Sequence, residues 1–148
     1  MFLAYQKMIQ EKRAIADEQL VVFDEYDQAA IATAWRKWKN LPKPPTAVVC
    51  FNDIMACWLI HEIRKDGLSI PGDISVIGHD DIAEANRIGL TTIRSEPAVI
   101  AREVFALLDS PRQINEKGRV RTIGSEFIMR DSVGPPRSGP LKIKDCVS

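Results

Sequence analysis

Two short stretches bring together residues able to do chemistry. The first is His79-Asp80-Asp81, which follows the apolar run at residues 74–77 and Gly78 in SIPGDISVIGHDDI. The second is Asn52-Asp53, which closes PTAVVCFND after the apolar run at residues 47–50. Each run is short, rich in β-branched residues and bounded by proline or glycine, the pattern of a buried strand. Each polar cluster therefore sits at the carboxyl end of a strand. In an open parallel α/β sheet that is where ligands bind. A carboxylate there can accept hydrogen bonds from adjacent hydroxyls, and an amide can both donate and accept. Asp80 is the first candidate ligand contact, with Asn52 beside it. Asp53 is explained as well by capping the helix that follows as by touching ligand. Asp81 reads as a cap or turn former for residues 82–87. His79 either lines the cleft or is packed and hydrogen bonded.

Other chemistry is poorly supported. Consecutive residues of an extended chain point to opposite faces, so His79, Asp80 and Asp81 do not converge on one metal ion unaided. The only other histidine, His61, falls in mid-helix. No HExxH, glycine-rich phosphate loop or GxSxG occurs. Cys50 belongs to a buried strand, where an apolar setting makes a thiol inert. No cofactor is implied, and the reading is of a non-enzyme.

The rest of the chain supplies the scaffold. Its 148 residues suit one domain, and a 45% apolar fraction suffices for a core. The net charge is 0, which gives no global field for nucleic acid. Three cysteines, Cys50, Cys57 and Cys146, lack metal-ligand spacing and suggest reduced thiols in a cytoplasm. Neither a signal peptide nor a membrane span is legible. Residues 1–14 carry a helical stripe and residues 20–23, LVVF, read as a strand. Asp27 is placed to cap a helix over 28–40 with Ile31, Ala34, Trp35 and Trp38 inward. A second helix, 54–65, is apolar nearly all round and must bury more than one face; Gly67 ends it. Residues 90–93 predict a further strand and 98–109 an amphipathic helix. Residues 122–129 predict an edge strand. The Gly-, Pro- and Lys-rich stretch after Arg130 predicts a flexible tail over 134–148.

Four separated motifs, PTAVVCFNDIMA, GLSIPGDISVIGHDDI, LTTIR and FIMRDSV, resemble in order and spacing the LacI/GalR transcription regulators. The match is to the carboxyl-terminal half of that family's effector-binding domain and spans roughly Phe2 to Val133, within a lobe read as residues 1–133. The resemblance implies an α/β, periplasmic-binding-protein-like (type I) lobe with a mostly parallel sheet flanked by helices. The lobe is incomplete, its first strand missing. A crossover helix within 95–110 would pack on an amino-terminal lobe absent from this chain, leaving its apolar stripe open. The resemblance also implies a small-molecule effector, a sugar or related polyol, bound by Asn52, Asp80, Asp53 and His79, with Tyr26 as the aromatic brought to the cleft. It implies a homodimer through Ile54, Cys57, Trp58, His61 and Ile88, and DNA binding only through a helix-turn-helix not found in this sequence. A solute-binding protein of a sugar transport system with the same fold is the alternative, and a flavodoxin-like enzyme domain a third.

Overall fold

The computed structural model describes residues 27–109 and 122–142; the readings for residues 1–26, Tyr26 included, lie outside them. The first described helix, α1 (Gln28–Lys39), is capped by Asp27, whose Oδ1 accepts from Ala30 N at 2.7 Å. Ile31, Ala34, Trp35 and Trp38 are its buried residues. Their i, i+3, i+4, i+7 spacing is the single inward stripe the sequence predicts. The helix ends at Asn40, ahead of Pro42.

Strand β1 (Ala47–Val49) follows and leads to α2 (Asp53–Lys65). Asn52 caps α2, its Oδ1 accepting from Met55 N at 3.0 Å. The helix stops where Gly67 takes a φ of +71°, a left-handed value suited to glycine. Asp66, at the end of α2, binds both Trp35 Nε1 (2.7 Å) and Lys39 Nζ (2.8 Å). That carboxylate fastens the two helix ends together beneath a tryptophan that is only 2% exposed. α1 and α2 pack along each other. The second face of the apolar helix α2 is thus covered in part by α1, within the same chain.

β2 (Ser75–Ile77) pairs with β1 in parallel, Ala47 opposite Ser75 and Val49 opposite Ile77. α3 (Ala83–Ile88) ends at Gly89, again with φ +71°. β3 (Thr92–Ser95) pairs antiparallel with β4 (Ser125–Ile128), and a parallel bridge, Ile77 to Thr91, joins this ribbon to β2. Between β3 and β4 in sequence comes α4 (Pro97–Leu108).

The far edge of β2 is shared by two segments. Towards its carboxyl end, Gly78 N donates to Thr91 O and Asp80 N to Ile93 O. Towards its amino end, Val76 N donates to Ser132 O, and Ser132 Oγ donates to Val76 O at 2.6 Å. The core gathers around Ala56, Leu59, Ile63, Ile74, Val76 and Leu90, each 1% exposed or less.

Two parts differ from, or sharpen, the sequence reading. None of the residues of α4 is buried, and Phe105 and Leu108 are 67% and 68% exposed. That apolar stripe stands open among the described residues. Of the stretch read as a flexible tail, residues 134–142 are described, and two of them are tied to the rest of the lobe. Gly134 N donates to Ser75 Oγ, and Arg137 donates to three carbonyls, of Pro44, Pro45 and Asp73, at 2.7–2.9 Å. Composition speaks to what a segment can bury by itself, not to one guanidinium reaching back to the sheet. A hydrogen bond to a charged group contributes roughly 1.5–3 kcal/mol net of the bonds exchanged with water, and less where it is partly exposed. Replacing Arg137 by alanine should lower unfolding stability by about 2 kcal/mol, read as a fall in the urea midpoint at unchanged slope.

Candidate functional site

The two strand ends meet directly. Cys50 N donates to Ile77 O and Asp53 N to His79 O, both at 2.8 Å. So Asn52-Asp53 and His79-Asp80 do lie side by side at one edge, as the sequence reading requires. Their side chains then diverge. Asn52 is 9% exposed and its Oδ1 serves the α2 cap.

Asp53 is fully buried and turned inward. Its Oδ1 accepts from Thr92 Oγ1 at 2.6 Å and its Oδ2 from Ile82 N at 2.9 Å. The expectation that Asp53 caps its helix or lines the cleft is therefore corrected: Asn52 holds the cap position, and Asp53 is a buried tie between α2, the entry to α3 and β3. The residue that makes room for it is Gly78. A Cβ there would stand 2.0 Å from Asp53 Oδ1.

Asp80 and Asp81 both have positive φ, 109° and 54°. Non-glycine residues at such values cost of order 1–3 kcal/mol, least for Asp near 55°, and persist only where their surroundings hold them. Asp80 N is held by Ile93 O at 2.8 Å. The Asp80 carboxylate accepts from His79 Nδ1 at 2.7 Å, and the two side chains are 51% and 31% exposed. Because a carboxylate only accepts, the proton of that bond belongs to Nδ1.

Asp81 is not a helix cap. The N-cap position of α3 is Ile82, without a side-chain bond. Instead Asp81, its side chain 10% exposed, is paired through one oxygen with Arg130 (2.6 Å) and through the other with Arg94 (3.2 Å). Arg130 also donates to Leu90 O at 2.8 Å, and Arg94 to Glu126 at 2.6 Å. The Glu126 hydrogen bond pushes the Arg94 guanidinium further up from its already high range. These two arginines are the residues that sequence reasoning passed over. Their only signal was position, at the ends of LTTIR and FIMR.

The four residues around this turn thus divide by environment. Asp53 is buried on neutral donors and Asp81 is enclosed by arginines. Asp80 and His79 face solvent. An apolar hollow of about 90 Å³ lies elsewhere, between α1, β1 and α2, lined by Ile31, Trp38, Cys50 and Leu59 among others. It is far below the roughly 300 Å³ at which small-molecule sites begin. Among the described residues no group of three or more His, Cys, Asp or Glu is arranged to hold a metal, and no helix is long and apolar enough to cross a membrane. Burial raises the Cys50 thiol to about 12, with Cys57 and Asp53 adding to the rise; Cys57 is itself raised, mainly by burial.

Of the residues named for self-association, Ile54 is 40% exposed and His61 is exposed, while Cys57, Trp58 and Ile88 are half-buried. Ile54, Cys57, Trp58 and His61 share one side of α2, at i, i+3, i+4 and i+7.

Residues 1–133 match the family model described as a periplasmic binding protein-like domain. The chain belongs to that family, in the form carried by LacI-type regulators. It is 30% identical over 132 residues to the HTH-type transcriptional repressor PurR of Vibrio atlanticus, covering 87% of this chain and 40% of that protein. It is 33% identical over 121 residues to the HTH-type transcriptional repressor CytR of Escherichia coli, covering 80% and 36%. Among solved structures, the transcriptional regulator CelR–cellobiose complex shares its fold, with a TM-score of 0.72 at 22% identity over 87% of this chain and 40% of that one. The chain spans about two fifths of the length of these relatives.

Two outcomes test the site's framework. Gly78→Ala forces a methyl into Asp53 and should destabilise the fold by about 2–3 kcal/mol, beyond a typical glycine-to-alanine change, measured by denaturant unfolding. Cys50 contributes stability that is complete below the ordinary thiol value of 9.0 and is lost as pH rises towards about 12, because the unfolded chain ionises first. Cys50→Ala should therefore flatten the alkaline limb of stability against pH by up to about 1.4 kcal/mol per pH unit.

Proposed function

We propose that this chain is the effector-sensing lobe of a LacI-type transcriptional repressor and that its ligand is a sugar or related polyol. One observation carries this reading: Asp80 stands at the carboxyl end of a parallel strand, half exposed, on a strained turn, with His79 bonded to only one of its carboxylate oxygens. His79 lines the same rim. Asn52 stands behind it as a lesser contact, and Asp53 shapes the rim from beneath. Repressors among the relatives favour a regulator over a transport solute-binding protein, and nothing in the rim resembles a catalytic constellation, so the lobe senses and does not catalyse. DNA is read by a helix-turn-helix elsewhere in the parent protein, in the cytoplasm, and the effector acts by favouring one arrangement of lobes over another.

The same reading assigns self-association to Ile54, Cys57, Trp58 and His61 on α2 together with Ile88 on α3, as a two-fold interface. An apolar strip at helical spacing, left open beside a covered face, is what such an interface uses.

A thermal-shift screen of pentoses, hexoses and disaccharides tests the sensing function, since a ligand stabilises the state it binds. At least one should raise the midpoint. Asp80→Asn should then weaken that ligand by about 10–100-fold, the equivalent of one charge-assisted hydrogen bond, with the unliganded midpoint little changed. A panel with no shift, or an unchanged affinity in the variant, counts against the reading. Ile54→Asp should convert a dimer to a monomer in sedimentation velocity; a chain monomeric at high concentration before mutation removes the interface assignment.

A further inference from the structure

The turn that carries Asp80 has a feature that capping and strand pairing leave unexplained. Two consecutive aspartates hold left-handed backbone values, 109° and 54°, although neither is glycine. Asp80's own side chain does not hold the turn; its partner is the neighbouring His79, itself part of the same loop. Beside the backbone bond of Asp80 N to Ile93 O, the side-chain restraint comes from the next residue. Asp81 is gripped through both oxygens, and the two grips are unequal. Arg130 is 16% exposed, binds Asp81 at 2.6 Å, and fixes its other nitrogen on Leu90 O. Arg94 is 41% exposed, lies at 3.2 Å, and shares itself with Glu126. A buried guanidinium tied at both ends is a rigid anchor, whereas an exposed and divided one is weak. Arg130 is also anchored through its backbone, which exchanges hydrogen bonds with Thr91 Oγ1 at 2.9 and 3.1 Å.

We infer that Arg130 is a positioning residue for the rim: held on Asp81, it fixes the turn at 80–81 so that Asp80 locks His79 in its Nδ1–H form and the pair presents two neighbouring acceptors to a neutral, polyhydroxylated ligand. The acceptors are Asp80 Oδ2 and, with the ring neutral and its proton on Nδ1, His79 Nε2. Among the described residues, the two arginines that reach the turn are both engaged by carboxylates. The rim therefore meets a ligand with acceptors, which suits hydroxyl donors and disfavours an anion. The ligand part of this inference rests on the sensing function proposed above; the Arg130 link does not.

The ring nitrogens report the link without any ligand. The chain has two histidines, and His61, exposed on α2, serves as the internal reference. Two-bond proton–nitrogen correlation spectra of the full 148-residue chain at pH 8 should show His79 protonated on Nδ1. In Arg130→Gln, the His79 signals should move towards the averaged pattern of an unrestrained ring, with His61 unchanged. Arg130→Lys, which keeps the charge but not the forked reach to Leu90 O, should restore part of the wild-type pattern. If Arg130→Gln does not fold, Asp81→Asn, which keeps the side chain's shape and weakens the same link, is read by the same criteria. A wild-type His79 protonated on Nε2, or a His79 pattern indifferent to these substitutions in a folded chain, overturns the inference. Titration with D-ribose, D-glucose and D-glucose 6-phosphate completes the test. Neutral sugars should perturb His79 and bind at least tenfold more weakly to Arg130→Gln; a preference for the phosphate overturns the acceptor assignment. A His79 pattern that answers to Arg130 while no sugar perturbs the rim leaves the link standing and removes the sensing function.

Discussion

The structure depends on a carboxylate that never meets solvent. Asp53 begins a helix, yet its side chain turns under the ends of the sheet and takes a hydroxyl from Thr92 and an amide from Ile82. A buried carboxylate without donors would cost several kcal/mol. With these two it becomes a constraint instead, because satisfying it requires β3 and the entry to α3 to arrive at fixed places. Gly78 is the counterpart: any side chain there would occupy the carboxylate's own position. The rim inherits its shape from this arrangement. His79 O binds Asp53 N, so the loop that carries Asp80 hangs from the same residue.

Above that tie, three neighbouring aspartates have been given three environments. Neutral donors enclose Asp53, guanidinium groups enclose Asp81, and solvent and an imidazole meet Asp80. The same side chain therefore serves as buried strut, ionic anchor and open acceptor within one small region. Only the last is left half exposed. The division of labour among these aspartates is set by which partners reach each one.

What the sequence made legible was local. α1 shows its cap at Asp27 and its inward stripe without ambiguity, and Gly67 marks the end of α2 as glycine must where φ turns positive. The strand ends at 50–53 and 78–80 were readable because short β-branched runs stop abruptly at polar residues. The illegible parts join residues far apart in the chain. Asp81 meets Arg130 across 49 positions, and Arg137 reaches Pro44 across 93. No periodicity or motif spacing encodes such a pair. Asp81 looked like a cap because it precedes a helix, and residues after 134 looked unattached because they are poor in apolar side chains. Asp53 was misassigned for a subtler reason. Asn52 and Asp53 are both good caps, and one residue of register decides which side chain faces its own helix and which faces the sheet.

The sharing of β2's outer edge between residues 91–93 and Ser132 bears on how the polypeptide acquires its shape. A ribosome delivers β1 and β2 well before residue 132, yet half of β2's edge has no described partner until the chain has grown past that residue, and the Arg137 clasp comes later still. Pairings this distant in sequence are slow to form, because the loop between them must first be closed. During synthesis the growing lobe exposes an unpaired strand edge, the kind of surface through which nascent chains associate wrongly. Residues 132–137 thus seal the assembly, and the sheet reaches its finished form only after they have been made.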